Sequence, residues 1–91
     1  MTTVTENATI AFAQDQTQPL KDSVLTSMRS YFSQLGDQTP NDVYEMVLAE
    51  VEVPLLQVTM EYCRGNQSKA ARVLGISRGT LRKKLKIYDL D

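Results

Sequence analysis

The chain has 91 residues, one cysteine (Cys63), no histidine and a formal net charge of −1. That length suits a single domain whose monomer would bury little of its surface, so a partner chain is expected. One cysteine excludes an intrachain disulfide. The absence of histidine removes imidazole bases, Ser-His and Cys-His pairs and most zinc or haem sites. With its acids scattered and no Gly-rich phosphate loop, no enzyme, cofactor or metal site is expected. The longest stretches without a charge, residues 7–14 and 53–60, are far too short to span a bilayer. No base precedes Lys21, so no signal or transit peptide is legible and the reading is a cytoplasmic protein.

The small net charge conceals a division along the chain. Residues 1–63 hold two bases against nine acids, whereas residues 64–91 hold eight bases against two acids. No acid lies between Arg64 and Tyr88. An acidic module joined to a basic one points to a polyanion partner held by the C-terminal third.

In chain order, residues 1–18 are rich in Thr, Ala and Gln and read as a flexible N-terminal arm. Ile10 and Phe12 flank Ala11 in a faint alternation that would suit a β-hairpin. Pro19 fits the first position of a helix. Leu20, Val24, Met28, Tyr31 and Leu35 recur on one face of it, and Gly36 closes it. A turn follows over residues 37–41, with Pro40 blocking helix before it.

Asn41 or Asp42 can cap the next helix, and Asp42 with Glu45 forms the pattern of a capping box. Tyr44, Leu48, Val51, Leu55, Val58 and Tyr62 then alternate at spacings of four and three, a heptad seam. Val43, Met46, Val47, Leu56 and Met60 widen the apolar surface past one stripe. The first helix can cover one side, and a second copy of the chain is the economical cover for the rest. Pro54 cannot bond the carbonyl of Glu50, so a kink is expected, with two short helices as the alternative.

Arg64 and Gly65 end this helix. Asn66 or Ser68 caps a short third helix to Leu74, Gly75 stops it, and Ser77 caps a fourth held down by Leu81 and Leu85 and continued by Tyr88. Residues 89–91 read as frayed. The fold class is thus all-α: four helices with a C-terminal helix-turn-helix. The chain divides into the arm (1–18), dimerisation helices (19–63) and a helix-turn-helix region (64–91, motif about 67–86).

Two short helices around a glycine corner are the local plan of a helix-turn-helix. With Leu81 and Leu85 buried, the other face of the last helix presents Ser77, Arg78, Thr80, Lys83 and Lys84, with Arg82 and Lys86 on its flanks. Bases and hydroxyls on one exposed face suit double-stranded DNA: hydroxyls and ammonium groups bond phosphates, and a guanidinium forks onto guanine. Arg78, in the first turn, is the candidate base reader. Arg82, Lys83 and Lys84 are candidate phosphate contacts, and Lys86 reads as solvated. Asn66 and Ser68 can bond phosphate or serve only as caps. Cys63 reads as a buried apolar side chain. A basic amphipathic helix for a membrane or protein surface is the alternative of a different class.

The residues Gly65, Asn66, Gln67, Ser68, Lys69, Ala70 and Ala71, followed by residues 74–86, resemble the C-terminus of the Fis (factor for inversion stimulation) family. The similarity continues upstream through residues 19–24, Tyr31 and Phe32, Tyr44 and Glu45, 47–52 and 54–56. It covers about residues 14–91. The same C-terminal motif is similar to the tail of NtrC-type activators, which also carry a large ATPase domain.

The Fis resemblance implies a nucleoid-associated homodimer with an intertwined core, for which Tyr44, Leu48, Val51, Leu55 and Val58 are the candidate contacts. It implies two recognition helices closer than the ~34 Å between successive major grooves, so that DNA must bend and A·T-rich centres are favoured. The implied DNA contacts are Asn66, Ser68, Arg78, Thr80, Arg82, Lys83 and Lys84. Ser77 stands where the family usually has asparagine. The implied partners include a DNA invertase, engaged by the family's N-terminal hairpin, and RNA polymerase. Here the arm is shorter around Asp15 and Gln16 and diverges before them.

Overall fold

The computed structural model describes residues 19–91, which form four α-helices and no strand. They are α1 (Leu20–Ser33), α2 (Val43–Tyr62), α3 (Gln67–Leu74) and α4 (Arg78–Ile87). The arm over residues 1–18, with its candidate hairpin, lies outside the described residues. The chain divides into two compact units, residues 1–40 and 41–91.

In the first unit, Pro19 stands at the N-cap with extended backbone (φ −62°, ψ 157°), one position before the expected one. Its carbonyl accepts from the Asp22 N–H at 3.0 Å. Val24, Met28, Tyr31 and Leu35 are half-buried, while Leu25 and Phe32 are exposed. The Tyr31 and Phe32 rings meet edge to face, with centroids 5.2 Å apart. The helix stops at Ser33, and the backbone turns through Gly36 at φ +62°.

The second unit opens with a departure from expectation. Asp42 occupies the N-cap of α2 at φ +56°, and its side chain makes no capping bond. The capping box with Glu45 is therefore not formed. A side-chain cap needs extended backbone to aim the carboxylate at the first amides, and left-handed backbone directs it elsewhere. The helix runs unbroken for 20 residues through Pro54, which excludes the two-helix alternative.

The faces of α2 have different fates. Leu56, Thr59 and Cys63 are buried, with Met60 beside them, on the side that meets the helix-turn-helix. The heptad seam lies elsewhere on the helix: Tyr44 is 77% exposed, Val58 61% and Leu55 49%, while Val51 is half-buried. The longest apolar pattern in the sequence is thus not the core of the single chain.

That core joins Leu56 and Cys63 of the α2 end to Ala70, Ala71, Leu81 and Leu85. Ala70 and Ala71 let α3 pack closely, as small side chains at a crossing allow. Leu74 and Ile76 pack against the same cluster from either side of Gly75. Gly75 ends α3 at φ +77°, and the Ile76 N–H returns to the Ala71 carbonyl at 3.0 Å, a Schellman closure.

The last residues are not frayed. Asp89 turns the chain at φ +58°, the Leu90 N–H donates to the Leu85 carbonyl at 2.7 Å, and Leu90 packs on the core. Aspartate tolerates that left-handed backbone better than most residues, and burial of Leu90 offsets the cost.

Candidate nucleic-acid interface

Two side-chain caps set the start of each short helix. Asn66 Oδ1 accepts the Lys69 N–H at 3.0 Å, so Asn66 rather than Ser68 caps α3. Ser77 Oγ accepts the Thr80 N–H at 3.0 Å and donates to Thr80 Oγ1 at 2.9 Å. The Thr80 hydroxyl proton stays free for an outside acceptor. Both caps leave their side chains exposed, and Asn66 lines a depression between the two helices.

That depression is an open concavity of about 670 Å³ between the start of α3 and the outer face of α4. Asn66 and Ser68 line one side, and Arg78, Arg82 and Lys83 the other. Arg78 Nη1 donates to Ser68 Oγ at 3.3 Å, tying the first turns of the two helices together. Five of the eight expected contact residues are thus gathered in one place. Ser77 and Thr80 are exposed at the adjacent helix start but do not line it.

Lys84 departs from the expectation of a free phosphate-binding cation. Its Nζ lies 2.9 Å from Glu52 Oε2 on α2, and the Tyr88 hydroxyl donates to Glu52 Oε1 at 2.6 Å. The side chains of Lys84 and Glu52 are only 30% and 16% exposed. Lys84 is three residues after Leu81 and four before Tyr88, so the helix turns it toward the packed side. The bond from Tyr88, then that from Lys84, holds the Glu52 carboxyl below its ordinary range, and the same carboxylate raises the Tyr88 phenol.

Sequence reasoning passed over four residues of the concavity. Lys86, read as solvated, lines it together with Gln67, Gly79 and Asp91. The signal for Lys86 was present: Gly79, Arg82, Lys83 and Lys86 follow at helical spacings of three, one and three, on one face. Gly79 has only Ser77 Oγ, at 4.0 Å, near where a Cβ would stand, and so leaves its helix surface open. Asp91 brings an acid to an otherwise cationic wall.

Residues 47–88 match the model of the bacterial regulatory protein, Fis family, and residues 1–40 that of the DNA-binding protein Fis N-terminal domain. The chain is 57% identical over 81 residues to the DNA-binding protein Fis of Proteus mirabilis (strain HI4320), covering 87% of this chain and 83% of that protein. The chain belongs to the Fis family.

A second relative, the DNA-binding protein Fis of Aliivibrio fischeri (strain MJ11), is 54% identical over 93 aligned positions, covering 100% of this chain and 95% of that protein. Fis of Escherichia coli O1:K1 / APEC is 57% identical over 81 residues. The family is one of DNA-binding regulatory proteins, not enzymes. The Fis-family regulatory match at residues 47–88 spans all but the first turn of α2 together with α3 and α4, and so includes the two helices that line the concavity.

Proposed function

We propose that the chain is a homodimeric nucleoid protein that binds and bends double-stranded DNA at degenerate sites with A·T-rich centres, regulating transcription and site-specific recombination. The observation that carries this reading is the exposed concavity that unites Arg78, Arg82 and Lys83 with the α3 start. Its walls match what a duplex offers: phosphate oxygens for Asn66, Ser68, Arg82 and Lys83, and a guanine edge for Arg78, with Thr80 beside them at the α4 start as a further phosphate contact. Ser77 shapes the α4 start. Lys86 joins the phosphate contacts.

The exposed seam of Tyr44, Leu48, Leu55 and Val58, with half-buried Val51 among them, supports pairing with a second copy. Apolar surface in such a periodic row is stabilised when covered. Two concavities on one dimer then meet one duplex, and DNA deformability supplies much of the site preference. A DNA invertase or RNA polymerase completes the set of partners, in the cytoplasm at the nucleoid. The alternative of a membrane-binding helix is disfavoured because Leu81 and Leu85, its apolar face, are 0% and 1% exposed. Among the described residues, no helix is long and apolar enough to cross a membrane.

Fluorescence anisotropy against a duplex at several salt concentrations tests the reading. If a dimer neutralises on the order of eight phosphates, log affinity falls with log salt at a slope of about −7. A flat response defeats it. Gel shifts on circularly permuted fragments report the bend, and position-independent mobility excludes bending.

A further inference from the structure

The clasp at Glu52 sits outside the concavity yet acts on the helix that forms it. Lys84 on α4 and Tyr88 at its C-cap lie one turn apart, on the side that sends Leu81 and Leu85 into the core. Glu52 lies one turn before Leu56 on α2. Each carboxylate oxygen receives one donor, Lys84 Nζ at 2.9 Å and the Tyr88 hydroxyl at 2.6 Å. Two donors a turn apart on one carboxylate resist rotation of α4 about its own axis, which is the motion that would re-aim Arg78, Arg82 and Lys83.

The clasp also decides where a charge goes. Lys83 and Lys84 are adjacent in sequence, but Lys83 is exposed on the concavity and Lys84 is turned inward. A lysine stem is long and flexible, and at 30% exposure the Lys84 ammonium is near enough to solvent to leave if its partner is neutralised. We propose that Glu52 is a positioning residue for DNA binding: it holds Lys84 off the duplex and so sets how many phosphates α4 neutralises. This rests on the DNA-binding reading above.

The test compares the salt dependence of binding to one fixed duplex for the full-length chain and three variants, E52Q, K84M and E52Q/K84M. Glutamine keeps an acceptor for Tyr88 while releasing the ammonium. E52Q is expected to steepen the slope of log affinity against log salt by about 0.9 per chain, because each freed lysine displaces one more counterion. K84M alone is expected to keep the wild-type slope, and the double variant to return to it.

Weaker binding by E52Q at an unchanged slope would reduce Glu52 to a scaffold residue and overturn the proposal. So would a steeper slope that persists in E52Q/K84M, which would reflect only the lost negative charge. A slope flattened by about 0.9 per chain in K84M would show Lys84 already on the DNA, with the same consequence. Should circular dichroism show E52Q unfolded, the K84M slope decides alone. A wild-type chain with no salt-dependent binding would instead defeat the DNA-binding reading itself.

Discussion

Arg78 and Ser68 meet across the helix-turn-helix corner, Nη1 donating to Oγ at 3.3 Å although ten residues separate them. The contact is long for a hydrogen bond and exposed, so it orients the guanidinium at little cost to its release. Arg78 is thereby held at the wall of the concavity with most of its donor fork unused.

Arg78→Ala should therefore weaken binding to a selected site by about 1–3 kcal/mol and relax discrimination there. Lys83→Ala should weaken selected and random duplexes alike and reduce the salt slope by about one. Competition anisotropy with both kinds of duplex distinguishes them. Equal losses in the two variants would contradict this division of roles.

Ser77 combines a cap with a bond to Thr80, so its removal has a structural cost. Ser77→Ala should lower stability by about 1 kcal/mol through the lost cap. Ser77→Asn keeps an oxygen able to cap and adds an amide donor that can reach a base edge, so selected sites should be bound more tightly with stability retained. Thermal melts and anisotropy on the two variants check both halves.

The exposed seam on α2 predicts a separation between folding and pairing. Leu55→Glu places a charge where the apolar row would be covered by a second copy, while Leu55 itself stands outside the α2–α4 core. Sedimentation should show dissociation at concentrations where the wild type is paired. Leu81→Ala, by contrast, empties a fully buried site and should cost about 2–5 kcal/mol in a chemical melt.

The Glu52 clasp predicts a pH dependence with a definite sign. Its carboxyl is lowered in the folded chain, so its contribution is present above the unfolded carboxylate pKa of about 4.3 and is lost as pH falls through the folded value. Tyr88 is raised, so its contribution holds below about 10 and is lost as pH rises through the folded phenol. The stability difference between wild type and Glu52→Gln should shrink on acidification from neutral pH. Melts across the acid range measure it, and a difference that grows toward acid would refute the assignment.

Local chemistry was legible in the linear chain wherever it acts over one helical turn. The four helices, the Ser77 cap, the glycine corner at Gly75 and the cationic face bearing Arg78, Arg82 and Lys83 follow from spacing and residue type. What spacing cannot convey is the direction in which each helix is rotated against its neighbours. Lys83 and Lys84 are chemically alike and adjacent; only packing of Leu81 and Leu85 onto α2 turns one to the concavity and the other to Glu52. The same holds for Asp42, whose left-handed backbone cancels a cap its side chain could make, and for Leu90, drawn back onto the core. A sequence specifies which groups can bond; long-range packing chooses among partners of nearly equal local merit.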